Sequence, residues 1–168
     1  MPARRRVWLA VALVLVAVVQ IRVFLLPPTD ESGQADAIVV FGGPGDRLGY
    51  AAELMADGLA PTLVISTEDV NRCPPGAAGA EVLCLTPDPL TTRGEARAFA
   101  ELARERGWEE LLVVSTATQS VRARMRLDRC YAGHATYVAM RENFLKQMYR
   151  VVYENGAMVK ALFVERDC

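Results

Sequence analysis

Four short segments are rich in small, hydroxyl or charged residues able to do chemistry: Gly42 to Arg47, Ser66-Thr67, Thr91 to Glu95, and Ser115 to Arg122. Gly42-Gly43-Pro44-Gly45 could bring backbone N–H groups close to an anion at a helix N-terminus, and Arg47 could hold a phosphate or carboxylate through two parallel bonds. A tight turn that needs glycine dihedrals, with Arg47 solvated, accounts for the same residues. Ser115, Thr116 and Gln119 lead into a run that carries Arg122, Arg124, Arg126 and Arg129. Arg122 falls in the first turn of that run and is its ligand candidate, whereas Arg126 and Arg129 read as a solvated basic face. Glu95 has two readings. It completes a capping box over Thr92-Arg93-Gly94-Glu95, or it is a pocket carboxylate that acts as a base or binds a cation. The expected ligand-binding set is Gly42, Gly43, Arg47, Ser66, Thr92, Ser115, Thr116, Gln119 and Arg122, with Glu95 as the catalytic candidate.

Composition removes several classes. The 168 residues carry a formal net charge of −1, so no overall basic field attracts nucleic acid. His134 is the only histidine, and no zinc-type Cys/His spacing occurs, so a histidine-based metal site or a Ser-His-Asp triad is hard to build. No G-x-G-x-x-G follows the first apolar strand, which argues against a dehydrogenase. The residues specify no cofactor.

The segments that must position these groups alternate. Ala37–Phe41 is a continuous apolar run, followed by a helical pattern from Arg47 to Asp57 with Leu48, Ala51, Ala52 and Met55 on one face and Gly58 as its stop. Thr62–Ser66 and Val82–Leu85 read as strands, Thr92 to Arg106 as a helix closed by Gly107, and Leu111–Ser115 as a fourth strand. A helix over Gln119 to Cys130, with Ala123, Leu127 and Cys130 on one face, precedes a short strand at Tyr137–Ala139. A last helical stretch from Glu142 to Val164 is interrupted by Asn155-Gly156. Strands that are apolar throughout need cover on both faces, and short crossover helices imply parallel pairing. The expected fold is α/β: a Rossmann-like three-layer parallel sheet with helices on both faces, over residues 35–168. Ligands of such sheets bind outside the carboxyl ends of the strands, which is where all four segments fall.

Ahead of it, residues 1–6 form a basic stub with Arg4, Arg5 and Arg6, and residues 7–26 an apolar run interrupted by Gln20 and Arg22. That run suits a single transmembrane helix, and the arginines put the N-terminus in the cytoplasm. A cleaved signal peptide is the competing reading, disfavoured by the length of the run. Residues 27–34 read as a linker. Cys73, Cys84, Cys130 and Cys168 all follow the anchor and suggest disulfides in an oxidising compartment. Of three connectivities, Cys73–Cys84 with Cys130–Cys168 is preferred, against buried free thiols.

The string from Ala35 through Gly43, then Arg47, Ala52-Glu53-Leu54 and Gly58-Leu59-Ala60-Pro61 before a strand ending in Ser66, resembles the YdcF/SanA/ElyC-like family. So do Thr92 to Ala96 and the segment from Ser115-Thr116 to Arg122-Ala123. The resemblance spans about Asp36 to Tyr153. It implies a Rossmann-like domain outside a bacterial inner membrane, with links to envelope integrity or peptidoglycan-precursor metabolism, and S-adenosylmethionine binding in at least one member. The family's usual histidine, three residues before the later arginine, is Gln119 here, which cannot shuttle a proton near neutral pH. The insert between Asn71 and Ala80 is a second departure, read as a disulfide-pinned flap.

Three functions follow as expectations. The first is an envelope domain that binds an anionic, phosphate-bearing ligand, small or lipid-linked. The second is a hydrolase or transferase using Glu95. The third is a non-catalytic scaffold whose C-terminal helix presents Phe144, Met148, Val151 and Val152, a stripe that reads more readily as core.

Overall fold

The computed structural model describes residues 2–43, 45–76 and 80–168, so Pro44 and part of the expected flap lie outside the described residues. Five strands form one wholly parallel sheet in the order β3-β2-β1-β4-β5. These are β1 (Ala37–Val40), β2 (Thr62–Ser66), β3 (Glu81–Leu85), β4 (Glu110–Thr116) and β5 (His134–Met140). The helices are α1 (Pro2–Gln20), continued by a π-helical segment Ile21–Leu25, then α2 (Arg47–Ala56), α3 (Thr92–Arg106), α4 (Ala117–Cys130) and α5 (Phe144–Phe163).

The central strands are apolar without alternation because each face of the sheet is covered. Val39, Phe41, Val64 and Val113 pack with Phe99 and Ala103 of α3 and Ala123 and Leu127 of α4. Ile38, Val40, Ile65, Leu112 and Val114 point the other way, onto Ala51 and Leu54 of α2. Neighbouring residues of one strand therefore serve two cores, as the strand's two-residue period requires. The α/β, Rossmann-like expectation holds. On α2 the buried face is Arg47, Ala51 and Leu54, while Leu48 and Ala52 are exposed. Arg47 claims a place in the apolar stripe and turns the helix relative to the expected face.

Chain direction reverses its course across the sheet at β1, with β2 on one side and β4 on the other; the two connections diverge there and leave a crevice at the carboxyl edge. Two disulfides, Cys73–Cys84 and Cys130–Cys168, form in the preferred connectivity. The second ties the chain's last residue to the end of α4. There Arg126 donates to the backbone oxygen of Glu165 and, at 2.7 Å, to its carboxylate, and Arg129 donates to the backbone oxygens of Ala161 and Glu165. The solvated basic face is thus corrected: Arg126 is buried, because the end of α5 covers α4 and offers carbonyls that have no intrahelical partner.

The apolar segment Ala3–Leu25 is the one helix among the described residues long and apolar enough to cross a membrane. At 23 residues it spans about 34 Å if helical throughout. The stretch 27–34 is pinned to the domain. Asp30 accepts from Tyr137 N at 2.9 Å and from Arg124 at 2.7 Å, and its own N–H donates to Tyr137 O. Phe24 is buried, in a segment packed on α4.

Candidate functional site

A cleft of about 1520 Å³ opens at the carboxyl edge of the sheet. The loop after β1 supplies Gly42, Gly43 and Gly45, β2 supplies Ser66, and α3 supplies Thr92 and Glu95. Gln119 and Arg122 enter from α4, and Glu142, Lys146, Arg150 and Glu154 from the loop after β5 and from α5.

Glu95 sits at the centre. The first turn of α3 is capped by Thr91, whose hydroxyl accepts from Gly94 N at 3.3 Å. The cap is therefore one residue earlier than the expected box, and the reciprocal position falls on Gly94, which has no side chain. Gly94 is needed there: a Cβ would meet the Pro89 carbonyl oxygen at 2.0 Å. Released from capping, the Glu95 carboxyl crosses to β1, where Oε1 accepts from Gly42 N, with Ser66 as a further hydrogen-bond partner. Gly42 permits that approach, since a Cβ would lie 3.0 Å from Oε1. Burial raises the Glu95 pKa above its ordinary value, outweighing the Gly42 and Ser66 hydrogen bonds and the charges of Arg47 and Arg122, which lower it.

Arg47 is buried as well. It donates through Nη1 to the Phe41 carbonyl at 2.5 Å and to the Gly42 carbonyl, so it holds the glycine loop by its backbone. Desolvation pushes its pKa down to about 10, with Glu95 the largest opposing charge. It stays charged at neutral pH. Gly43, at φ +124, lies against the guanidinium: a Cβ there would be 2.9 Å from Nη2.

α4 begins at Ala117, two residues earlier than expected, so Arg122 lies in its second turn. Its Nε and Nη2 donate to the two carboxylate oxygens of Glu154, each at 2.8 Å. Nη1 is not engaged in that pair. Arg150 pairs with Glu142 at 2.8 Å. Gln119 donates from Nε2 to Thr92 Oγ1 at 3.1 Å, while its buried Oε1 has no hydrogen-bond partner. A histidine in that place would face Thr92 and the Glu95 turn.

Eight of the ten site residues expected from sequence line the cleft: Gly42, Gly43, Arg47, Ser66, Thr92, Glu95, Gln119 and Arg122. Ser115 and Thr116 do not; both are buried behind the lining at the end of β4. Sequence reasoning missed Glu142, Lys146, Arg150 and Glu154. The signal for Glu142 was the strand-end rule, applied to a strand drawn one residue short of Met140. Nothing local marks Glu154 as a partner for an arginine 32 residues away.

No protein-family model matches the chain, and no curated protein or solved structure matches it.

Proposed function

We propose that the cleft binds an anionic, phosphate-bearing ligand and that the domain serves cell-envelope biogenesis or integrity from the outer side of a bacterial inner membrane. The observation that carries this is the convergence of Arg47, Arg122, Lys146 and Arg150 on one cleft that ends at a glycine loop. Arg122 and Arg150 are held by Glu154 and Glu142, which fixes their positions before a ligand arrives; Nη1 of Arg122 and the ammonium of Lys146 are then the groups that meet the anion. The resemblance to the YdcF/SanA/ElyC-like family and the arginines ahead of the apolar helix support the compartment, as do disulfides that persist under oxidising conditions.

The test is a thermal-shift survey of the full chain in detergent against sugar phosphates, nucleotides, polyprenyl phosphates and S-adenosylmethionine. A ligand at about 100 times its dissociation constant adds roughly 2.7 kcal/mol, which moves the midpoint by several degrees. The shift should need the phosphate and should be lost in Arg47→Ala with Arg122→Ala, and weakened in Lys146→Ala, which leaves the buried pairs intact. An equal shift from a phosphate-free analogue, or none from any phosphate, overturns the reading.

Glu95 favours a second reading, a hydrolase or transferase. A buried carboxyl with a raised pKa that does not cap its own helix is poised to give and take a proton. Glu95→Gln would then keep the fold and abolish turnover of the ligand that the survey identifies.

A further inference from the structure

Helix α5 is built inside out. Its buried positions are Gln147, Glu154 and Ala161, and the half-buried ones include Arg150 and Asn155. Its exposed side carries Leu145, Tyr149, Val152, Val159 and Phe163, spaced by four, three, seven and four residues, with Tyr153 beside them. Leu145, Tyr149 and Val152 are 77%, 83% and 78% exposed. A helix of a water-soluble domain turns the opposite face outward, and an apolar patch of this extent marks a surface that meets something other than water.

What it meets is indicated by the neighbouring helix. Gln20, at the end of α1, and Asn155 of α5 exchange two side-chain amide hydrogen bonds, both 2.8 Å. Gln147 donates to Leu25 O at 3.4 Å, where the apolar segment ends. α5 therefore crosses at the level where the membrane-spanning candidate leaves the hydrocarbon. Lys146, Tyr153 and Lys160 border one edge of the stripe, and Tyr149 lies within it. Lysines and tyrosines beside an apolar stripe are the composition of a helix seated at a bilayer surface.

We infer that α5 lies in the headgroup layer of the membrane that α1 crosses, with its Leu145–Phe163 face in contact with acyl chains. The lining of the cleft follows from this. Leu145, Lys146, Tyr149 and Tyr153 belong both to α5 and to the cleft, so the mouth opens onto the lipid layer. A phosphate-bearing amphiphile would reach Lys146 and Arg122 sideways from the bilayer, without passing through water. The seating of α5 stands on its own; only this choice of ligand rests on the function proposed above.

The experiment uses the full chain in phosphatidylcholine vesicles, with Trp8→Phe and Trp108→Phe removing native fluorescence, and Val152→Trp as the probe. Val152 makes no buried contact to lose. Protein is diluted until most vesicles hold one chain, so that a second copy cannot cover the helix. With lipid brominated near the top of its acyl chains, the probe should lose roughly half or more of its emission, as expected for a face sunk about 5–10 Å into the interface. A control probe, Glu53→Trp on the exposed side of α2 across the sheet, should keep its emission. Phe163→Trp repeats the measurement at the other end of the stripe. Unquenched emission at both 152 and 163, or equal quenching at 53, overturns the inference. Neither result depends on phosphate binding, so the two readings fail separately.

Discussion

Arg122 and Glu154 form a bidentate pair, 2.8 Å at each contact, with both side chains at or below 10% exposure. The pair joins α4, which packs on the sheet, to α5, which packs on α4, and so sets where α5 stands over the cleft. A lone partner left buried is costly, whereas two apolar replacements are not. Glu154→Ala should therefore destabilise the protein by about 3–5 kcal/mol, and the double variant Arg122→Met/Glu154→Leu by less than either single change. Denaturant titration in detergent reads both. A fully additive double variant would mean that the two residues are not coupled.

Glu95 gives a pH signature of defined sign. Its folded-state pKa is raised, so the folded protein holds the proton more tightly than the unfolded chain. The associated stability is complete below the ordinary value of 4.5 and is lost as pH rises through the raised value. The difference in unfolding free energy between wild type and Glu95→Gln should be flat below 4.5 and shrink, or change sign, at higher pH. A difference that grows with pH would show a carboxylate stabilised in its charged form.

Gly94→Ala tests the loop that frees Glu95. The added methyl would enter the Pro89 carbonyl, a backbone atom that cannot swing aside. Overpacking of this kind costs typically 1–3 kcal/mol, and the start of α3 should shift with it. The midpoint should fall and the Glu95 pH signature should weaken together. A fall in stability alone would separate the loop from the carboxyl.

The two disulfides should differ in worth. Their closing spans are 11 residues for Cys73–Cys84 and 38 for Cys130–Cys168. Loop-closure entropy gives about 3 kcal/mol for the first and about 4 for the second. Paired Cys→Ala variants, compared by thermal denaturation, should show the larger loss at Cys130 and Cys168. The Arg126 and Arg129 contacts to residues 161–165 should loosen with it, visible as faster amide exchange in the last turn of α5.

Local pattern carried much of the architecture. Apolar runs at Ala37–Phe41, Leu63–Ile65 and Leu111–Val114 identify strands covered on both faces, and Gly107, at φ +68, closes α3 where the sequence puts its stop. The capping box at Thr92 failed by one residue because two threonines stand side by side. Only Thr91 has the extended backbone of a cap, and the Pro89 carbonyl fixes which. The helix break expected at Asn155-Gly156 is absent: α5 runs through it, with Asn155 Nδ2 returning to Val151 O and its amide bonded to Gln20.

The sequence by itself determined the parallel α/β sheet, the apolar N-terminal helix and eight residues of the cleft lining, because those depend on periodicity and on the rule that strand ends carry the site; among three cysteine connectivities it only favoured the one that forms. The tertiary structure alone decided the partners: Glu95 with Gly42, Arg122 with Glu154, Arg126 with Glu165, and Gln20 with Asn155. It also decided which face of α5 is turned outward. The stripe of Phe144, Met148 and Val152, read as core, is exposed, with Val151 half-buried. Burial of a helix face depends on what the rest of the chain brings against it. Here that was a polar cleft and the end of α1, which selected the polar side of the helix and left the apolar one outside.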